Sequence, residues 1–294
     1  VVGTADPRAS TARELAEMMV GATLTPPARR PGEKGKVMLG VSDLSVASPI
    51  PFGTSLKNVA FTVAAGEVLG IAGVAGNGQD ELLLALSGEL KASPDRVRID
   101  DAPVGDLGPI DRRRAGMVSA PEDRLGHAAA PDMSLIENAF LTAQVRKGLT
   151  NMGFIDWPAT RAYAEAVIRD FDVRTPGAHV AARALSGGNL QKFVVGRELM
   201  QAPKVIVINQ PTWGVDAAAA ASIRQAILDR AAEGAAVVVI SQDLDELLEI
   251  ADRFAVLNEG RLTQPRPVEG LTIDEIGLMM GGAHGMEVAH HAEA

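Results

Sequence analysis

Glu67-Val-Leu-Gly-Ile-Ala72, then Gly73-Val-Ala-Gly76-Asn77-Gly78, then Gln79-Asp80-Glu-Leu-Leu-Leu-Ala-Leu86 is the stretch that decides the fold. Its first part reads as a buried strand, its second as a glycine-rich turn, and its third as a helix stopped near Gly88. That order aims backbone N–H groups and a helix N-terminus at one point, where an anion is favoured.

The turn fits the phosphate-binding spacing G-x-x-x-x-G-K-[ST] except at its end, where Gln79 replaces Lys and Asp80 replaces Ser/Thr. Gly73, Gly76, Asn77 and Gly78 keep the cradle, but the cation and hydroxyl that serve the outer phosphates and magnesium are gone. A carboxylate about 4 Å from a phosphate charge costs roughly 4 kcal/mol at an effective dielectric of 20, and the missing Lys removes a comparable attraction. Taken alone, the stretch equally describes a structural strand-to-helix turn. A dinucleotide-binding reading is weaker, because the glycines run G-x-x-G-x-G.

Working outward, Lys204–Ile208 and Ala235–Ile240 are short runs dense in Val and Ile. They flank an Ala-rich helical stretch carrying Ile223, Ala226, Ile227 and Ala231 and ending near Gly234. Two such runs around a helix predict a parallel sheet. Phe254–Leu257, then Asn258-Glu259-Gly260, then Arg261-Leu262 predicts a terminal hairpin. Residues 37–65 read as short strands. Residues 133–199 read as mainly helical, with Asp156-Trp157-Pro158 starting a segment that runs to Phe171. The predicted class is α/β: a mainly parallel core, an antiparallel β part and an inserted helical part. The charges of Asp106–Arg114 and Asp123–His127 read as solvated loop residues.

With 294 residues, 47% apolar and 22% charged, the chain is long enough for one large or two modest globular domains. The balance of 28 basic and 37 acidic residues, net −9, argues against nucleic acid as a partner. Zero cysteines exclude disulfides, thiol nucleophiles and Cys-bound zinc. The longest apolar run, Ala235–Ile240, is far short of the roughly 18 residues that cross a bilayer, and no secretory signal is read at Val1–Ser10. Thr11–Ala22 and Thr272–Ala283 match at six of twelve positions across an offset of 261 residues. This predicts that residues 1–36 are the tail of a preceding homologous unit plus a Pro/Gly-rich linker, inside a longer gene product. The folded unit is expected over 37–283 and a disordered tail over 284–294. The five histidines show no metal spacing, so no metal site is assigned.

A second motif, Leu185-Ser186-Gly187-Gly188-Asn189-Leu190-Gln191-Lys192, opens a helix through Phe193, Val194, Arg197 and Leu199, with Ser186 a good N-cap. The Ser-Gly-Gly tripeptide alone also describes a hinge. The whole octet, however, resembles the signature of ATP-binding cassette (ABC) proteins, in the branch that serves simple-sugar and nucleoside importers. Val205–Asp216 is similar to that branch's Walker B and D-loop segment, and Ala120-Pro121-Glu122-Asp123-Arg124 to its Q-loop. The resemblance covers about Val37 to Gly282. It implies the P-loop ABC ATPase fold with ATP and Mg2+ as ligands. Carried over residue by residue, it places Gly73, Gly76, Asn77, Gly78, Gln79, Asp80, Glu122, Leu185, Asn189, Gln191 and Asn209 at nucleotide-binding positions. Ser186, Gly187, Gly188, Gln210, Asp216 and Gln242 fall at catalytic ones.

Four positions depart from the active pattern. Beside Gln79, the strand ends in Asn209-Gln210 where Asp-Glu is expected, and Gln242 occupies the switch His position. The amides lack the charge needed to hold magnesium or polarise water. The signature Ser186–Lys192 is unaltered and offers N–H groups, a hydroxyl and a helix N-terminus without a fixed charge. Trp213 stands where the related pattern often has Arg, and only packing is expected of it.

ABC domains pair head to tail, so the resemblance implies a chain that completes its partner's ATP site while forming a poor one of its own. The expected identity is the C-terminal nucleotide-binding domain of a duplicated ATP-binding subunit, with little hydrolysis in isolation. The Asn209-Gln210-Pro211-Thr212 segment leans towards the nucleoside importers. Expected partners are the N-terminal domain of the same polypeptide, membrane permease subunits met through the Q-loop face and, indirectly, a solute-binding lipoprotein or periplasmic protein. The expected place is the cytoplasmic face of the plasma membrane. The alternatives are a soluble ABC ATPase of DNA repair or translation, which usually keeps two hydrolytic sites, and a regulatory pseudoenzyme without nucleotide binding.

Overall fold

The computed structural model describes Ala28, residues 34–49 and residues 51–282. The first repeat copy, most of the linker and residues 283–294 lie outside the described residues.

Two antiparallel strands come first, β1 (Val37–Val46) and β2 (Leu56–Ala64). They are long, not the short strands expected. Register shifts, one of them between Val41 and Leu44 around left-handed Asp43, break the two-residue alternation by which a long strand is recognised. Next come β3 (Val68–Ala72), α1 (Gln79–Ser87), β4 (Val97–Ile99), β5 (Ala102–Pro103), α2 (Pro109–Ala115) and β6 (Met117–Ala120). The helical part holds α3 (Leu135–Lys147), the small hairpin β7 (Thr150–Asn151) and β8 (Phe154–Ile155), α4 (Trp157–Asp170) and α5 (Gly187–Leu199). The chain then returns through β9 (Val205–Asn209), α6 (Ala217–Ala232), β10 (Ala236–Ser241), α7 (Leu244–Ile250), β11 (Arg253–Asn258), β12 (Arg261–Leu262), β13 (Arg266–Pro267) and α8 (Ile273–Met280).

The central sheet runs β12-β11-β3-β10-β9-β6, with β13 on β11; the five strands from β11 to β6 are parallel. A smaller antiparallel sheet runs β2-β1-β4-β5. Alternate residues of the parallel strands feed two cores. Ile206, Ile208, Val237 and Val239 join the helices of the inserted part. Val205, Val207, Val238 and Ile240 pack on the antiparallel sheet and α1. Both faces are covered, which is why β9 and β10 read as continuous apolar runs. Each such side chain contributes about 1.5–3 kcal/mol on burial.

The helix start at Asp156 and the terminal hairpin turn are present as expected, and α8 carries a cap not named from the sequence. Asp156 accepts from Ala159 N, Thr272 and Glu275 form a capping box on α8, and Glu259-Gly260 is the two-residue turn between β11 and β12. The loop reading of Asp106–Arg114 is corrected, because α2 forms there and Arg112 is 1% exposed. Its guanidinium donates to Leu86 O (2.6 Å) and Ala85 O, carbonyls that the end of α1 leaves free, and to Gly105 O (2.8 Å) in the following loop. Burial draws its pKa down to about 10. The pattern shows only that three arginines are adjacent, not which one turns inward.

Candidate functional site

The glycine loop joins the C-terminal end of β3 to the N-terminus of α1. Its last residue, Gly78, caps α1 in the left-handed region with φ 109°, and Gly76 shares that region at φ 84°; side chains there are strained. The loop is held from outside. Asn77 Oδ1 accepts from Glu259 N (3.1 Å) and Asn77 O from Gly260 N (3.0 Å), so the terminal hairpin fastens it.

The loop is also held from inside. Gln79, 8% exposed, folds back over it. Its Nε2 donates to Val74 O (2.8 Å), and its Oε1 accepts from Asn77 N (3.0 Å). An amide has both a donor and an acceptor, whereas Lys has donors only. Gln79 therefore engages one of the loop's own N–H groups, and it lies where a β-carbon on Gly73 would clash with it.

At the loop's inner edge, Asn209 Nδ2 donates to Asp80 Oδ1 (3.1 Å). Burial, then the neighbouring Glu81 charge, holds Asp80 above the usual carboxylate range. Glu122 is raised as well, by burial and then by Asp80. Asn209 is 1% exposed, and its Oδ1 has no hydrogen-bond partner among the described residues.

A cavity of about 780 Å³ gathers much of the predicted site: Gly76, Gln79, Asp80, Glu122, Leu185, Gly187, Asn209, Gln210 and Gln242 all line it. Gly73, Asn77, Gly78, Ser186, Gly188, Asn189, Gln191 and Asp216 are not among its lining residues. Ser186 stands at the N-cap of α5, yet its hydroxyl makes no capping bond and accepts instead from Asn189 Nδ2 (2.9 Å). Asn189 Oδ1 in turn accepts from Arg174 N (2.8 Å). Gln191 is buried and donates to Gln210 O (3.2 Å) and Pro211 O (2.9 Å). Asp216 caps α6, accepting from Ala219 N (2.9 Å). Gln210, in the left-handed region at φ 52°, accepts from Ser241 Oγ (3.3 Å).

Two participants escaped the sequence reading: residues 123–127 form a largely exposed loop, as expected, but two of its side chains also take part in the site. Arg124 and His127 line the cavity. Arg124 Nε donates to Gln191 Oε1 (3.0 Å), and Nη2 donates to Trp213 O. His127 Nε2 lies 2.7 Å from Glu89 Oε2. That bond lifts the His127 pKa above its ordinary value against the opposing effect of burial, and it lowers that of Glu89. The only local signal was that Arg124 sits in the Pro-Glu-Asp-Arg run. Trp213 lines the cavity too and is 61% exposed, more than a packing residue needs. Among the described residues no three or more His, Asp or Glu side chains are grouped to hold a metal ion, and no helix is long and apolar enough to cross a membrane.

The chain is 38% identical over 290 residues to the glucose import ATP-binding protein TsgD13 of Haloferax volcanii, a match covering 96% of this chain and 52% of that protein. It is 32% identical over 283 residues to the guanosine import ATP-binding protein NupO of Bacillus subtilis, covering 96% and 55%. The chain thus spans about half the length of these curated relatives. Among solved structures, the dimeric post-hydrolysis ATP-binding cassette MJ0796 bound to ADP and Pi is similar in fold, with a TM-score of 0.67 and 22% identity over 80% of this chain and 100% of that one. Residues 56–213, more than half the sequence, match the family described as ABC transporter; the chain belongs to that family.

Proposed function

We propose that this chain is the C-terminal nucleotide-binding domain of the ATP-binding subunit of an importer for nucleosides or simple sugars. Its signature completes the ATP site of the N-terminal domain, and its own site is degenerate. The reading rests on one contrast. Ser186, Gly187 and Gly188 keep the full signature at the start of α5, while Gln79 occupies the chain's own phosphate cradle and Asn209 faces Asp80. Mg-ATP does not fit that cradle. The loop N–H of Asn77 is engaged by Gln79, and the carboxylates of Asp80 and Glu122 repel a triphosphate. The match to about half of relatives named for glucose and guanosine import supports one cassette of two.

ATP and Mg2+ belong, in this reading, to the partner's P-loop, and ATP supplies the phosphoryl group that is transferred. The Ser186 hydroxyl, the Gly187 and Gly188 N–H groups and the α5 N-terminus stabilise charge developing on it. The Q-loop face around Glu122 meets the permease, which receives solute from a binding protein, at the cytoplasmic face of the membrane. The test is transport by the full-length polypeptide with Ser186→Arg. Loss of uptake is expected, and uptake at the wild-type rate overturns the proposal. The isolated chain should turn over ATP at background rate; robust turnover abolished by changing Asn209 or Gln210 would count against the division of labour.

A further inference from the structure

Arg124 lies 67 residues before Gln191 and 89 before Trp213, and its side chain meets both. Its fork is fixed at two points, Nε on the Gln191 amide and Nη2 on the Trp213 carbonyl. The third nitrogen, Nη1, has no hydrogen-bond partner among the described residues and points at the signature. A β-carbon added to Gly187 would stand 2.7 Å from it, and one added to Gly214 would stand 3.0 Å from Nη2. The guanidinium therefore fills a notch between two glycines, one opening α5 and one in the turn after β9. Gln191, held by Arg124 on one side, donates to Gln210 O and Pro211 O on the other. Three segments remote in sequence are joined through one planar group.

The supporting loop is built to hold it there. Ala129 N donates to Arg124 O, Ala128 N to Asp123 O and Gly126 N to Ala129 O, each at 2.9 Å. No carboxylate forms an ion pair with Arg124 among the described residues. A cation at a helix N-terminus opposes the helix dipole, so stabilising α5 does not account for its presence. A bidentate fork spanning two neutral acceptors does, and Lys cannot reproduce it.

We infer that Arg124 is a positioning residue for the signature: it ties the 121–129 loop to the start of α5 and to the turn after β9, setting the angle at which Ser186–Gly188 meets the partner's nucleotide. The inference rests on the composite-site reading above, and it also places a positive charge beside Gly187.

The test uses the full-length subunit assembled with its permease, comparing wild type, Arg124→Gln, Arg124→Lys and Ser186→Arg by steady-state ATP turnover, with thermal unfolding of each. Both Arg124 variants should lose at least about tenfold in kcat. KM for ATP should stay within about twofold, since the partner's P-loop binds the nucleotide, and the unfolding midpoint should be unchanged. Wild-type kcat in Arg124→Gln, full rescue by Lys, or a joint change of KM and midpoint overturns the assignment. Turnover that survives Ser186→Arg sinks the composite site itself. Turnover stopped by Ser186→Arg but untouched by Arg124→Gln sinks only the role of Arg124.

Discussion

The Asn209 amide donates to the Asp80 carboxylate across 3.1 Å, so the acid of this pair stands on the helix side of the site and the neutral group on the strand side. The family resemblance calls for the reverse, a carboxylate ending β9 and a hydroxyl opening α1. In the proposed reading, the charge is moved rather than only removed, towards the space where phosphates would lie.

Asp80 binds its proton more tightly folded than unfolded, because burial and Glu81 disfavour its charge. The sign follows: stability is lost as pH rises from the ordinary carboxylate value through the raised folded one. Asp80→Asn should therefore raise the urea midpoint at pH 7 and change it little near pH 4. Because Asp80 is partly solvated, the gain stays at about 1 kcal/mol or less. Asn209→Asp should do the opposite at pH 7 by placing two carboxylates together. A wild-type midpoint in both variants at pH 7 would remove the repulsion from this account.

Gln79→Lys with Asp80→Thr should open the loop and restore nucleotide binding. Removing Gln79 Oε1 leaves Asn77 N only its longer bond to Val74 O (3.2 Å), and exchanging a repulsion for an attraction, each about 4 kcal/mol at an effective dielectric of 20, leaves room for at least a thousandfold gain in affinity. Mg-ATP titration of the two proteins measures it. Equal, tight binding by the wild type would show that Gln79 yields to phosphate.

His127 should titrate above its ordinary value, while Glu89 stays ionised, because the bond between them favours the charged imidazolium. A raised histidine pKa contributes stability that is complete below the unfolded value of about 6.5 and is lost as pH rises through the folded value. Following the His127 ring protons by NMR from pH 5 to 9 gives the midpoint directly. Glu89→Gln should bring it down towards about 6.5, since burial is then opposed only by the charges of Asp123 and Asp80; no movement on that substitution would sever the pair.

The local parts of this fold were legible in the sequence because each is written within a few residues. The loop Gly73–Gly78 follows an apolar run, Asp156 precedes Trp157-Pro158, and Glu259-Gly260 joins two strands. The bulged strands over 37–64 were misjudged because an extra residue at Asp43 reverses the alternation midway. The side-chain traffic at the site was not legible at all. That Gln79 turns back on its own loop depends on a donor and an acceptor meeting at 2.8 and 3.0 Å. That Arg124 reaches Trp213 depends on the crossing of segments 89 residues apart. Neither leaves a periodicity to read. Ser186 shows a different limit: its type and place are those of an N-cap, yet its hydroxyl accepts from the Asn189 side chain three residues on, not from a backbone N–H.

Glu198, fully buried on α5, carries the last prediction. It accepts from Arg113 Nη1 (2.6 Å), Arg197 Nε (2.9 Å) and Gln201 Nε2 (3.0 Å). Arg197, 2% exposed, also donates to Asn138 O and to Ala128 O, the latter within the loop that holds Arg124. Burial alone would push Glu198 up; Arg113 and Arg197 outweigh it and hold the acid below its ordinary value. Its contribution is present above the unfolded carboxylate pKa and is lost as pH falls through the lower folded one. Glu198→Ala strands two guanidinium groups with no counter-charge, which costs about 3–5 kcal/mol and, at roughly 2–4 °C per kcal/mol for a domain of this size, lowers the thermal midpoint by about 10 °C. The loss should shrink as pH is brought below about 4.5. A variant with the wild-type midpoint at pH 7 would mean that the arginines find water instead, and that the helical part is not fastened to the signature helix through this network.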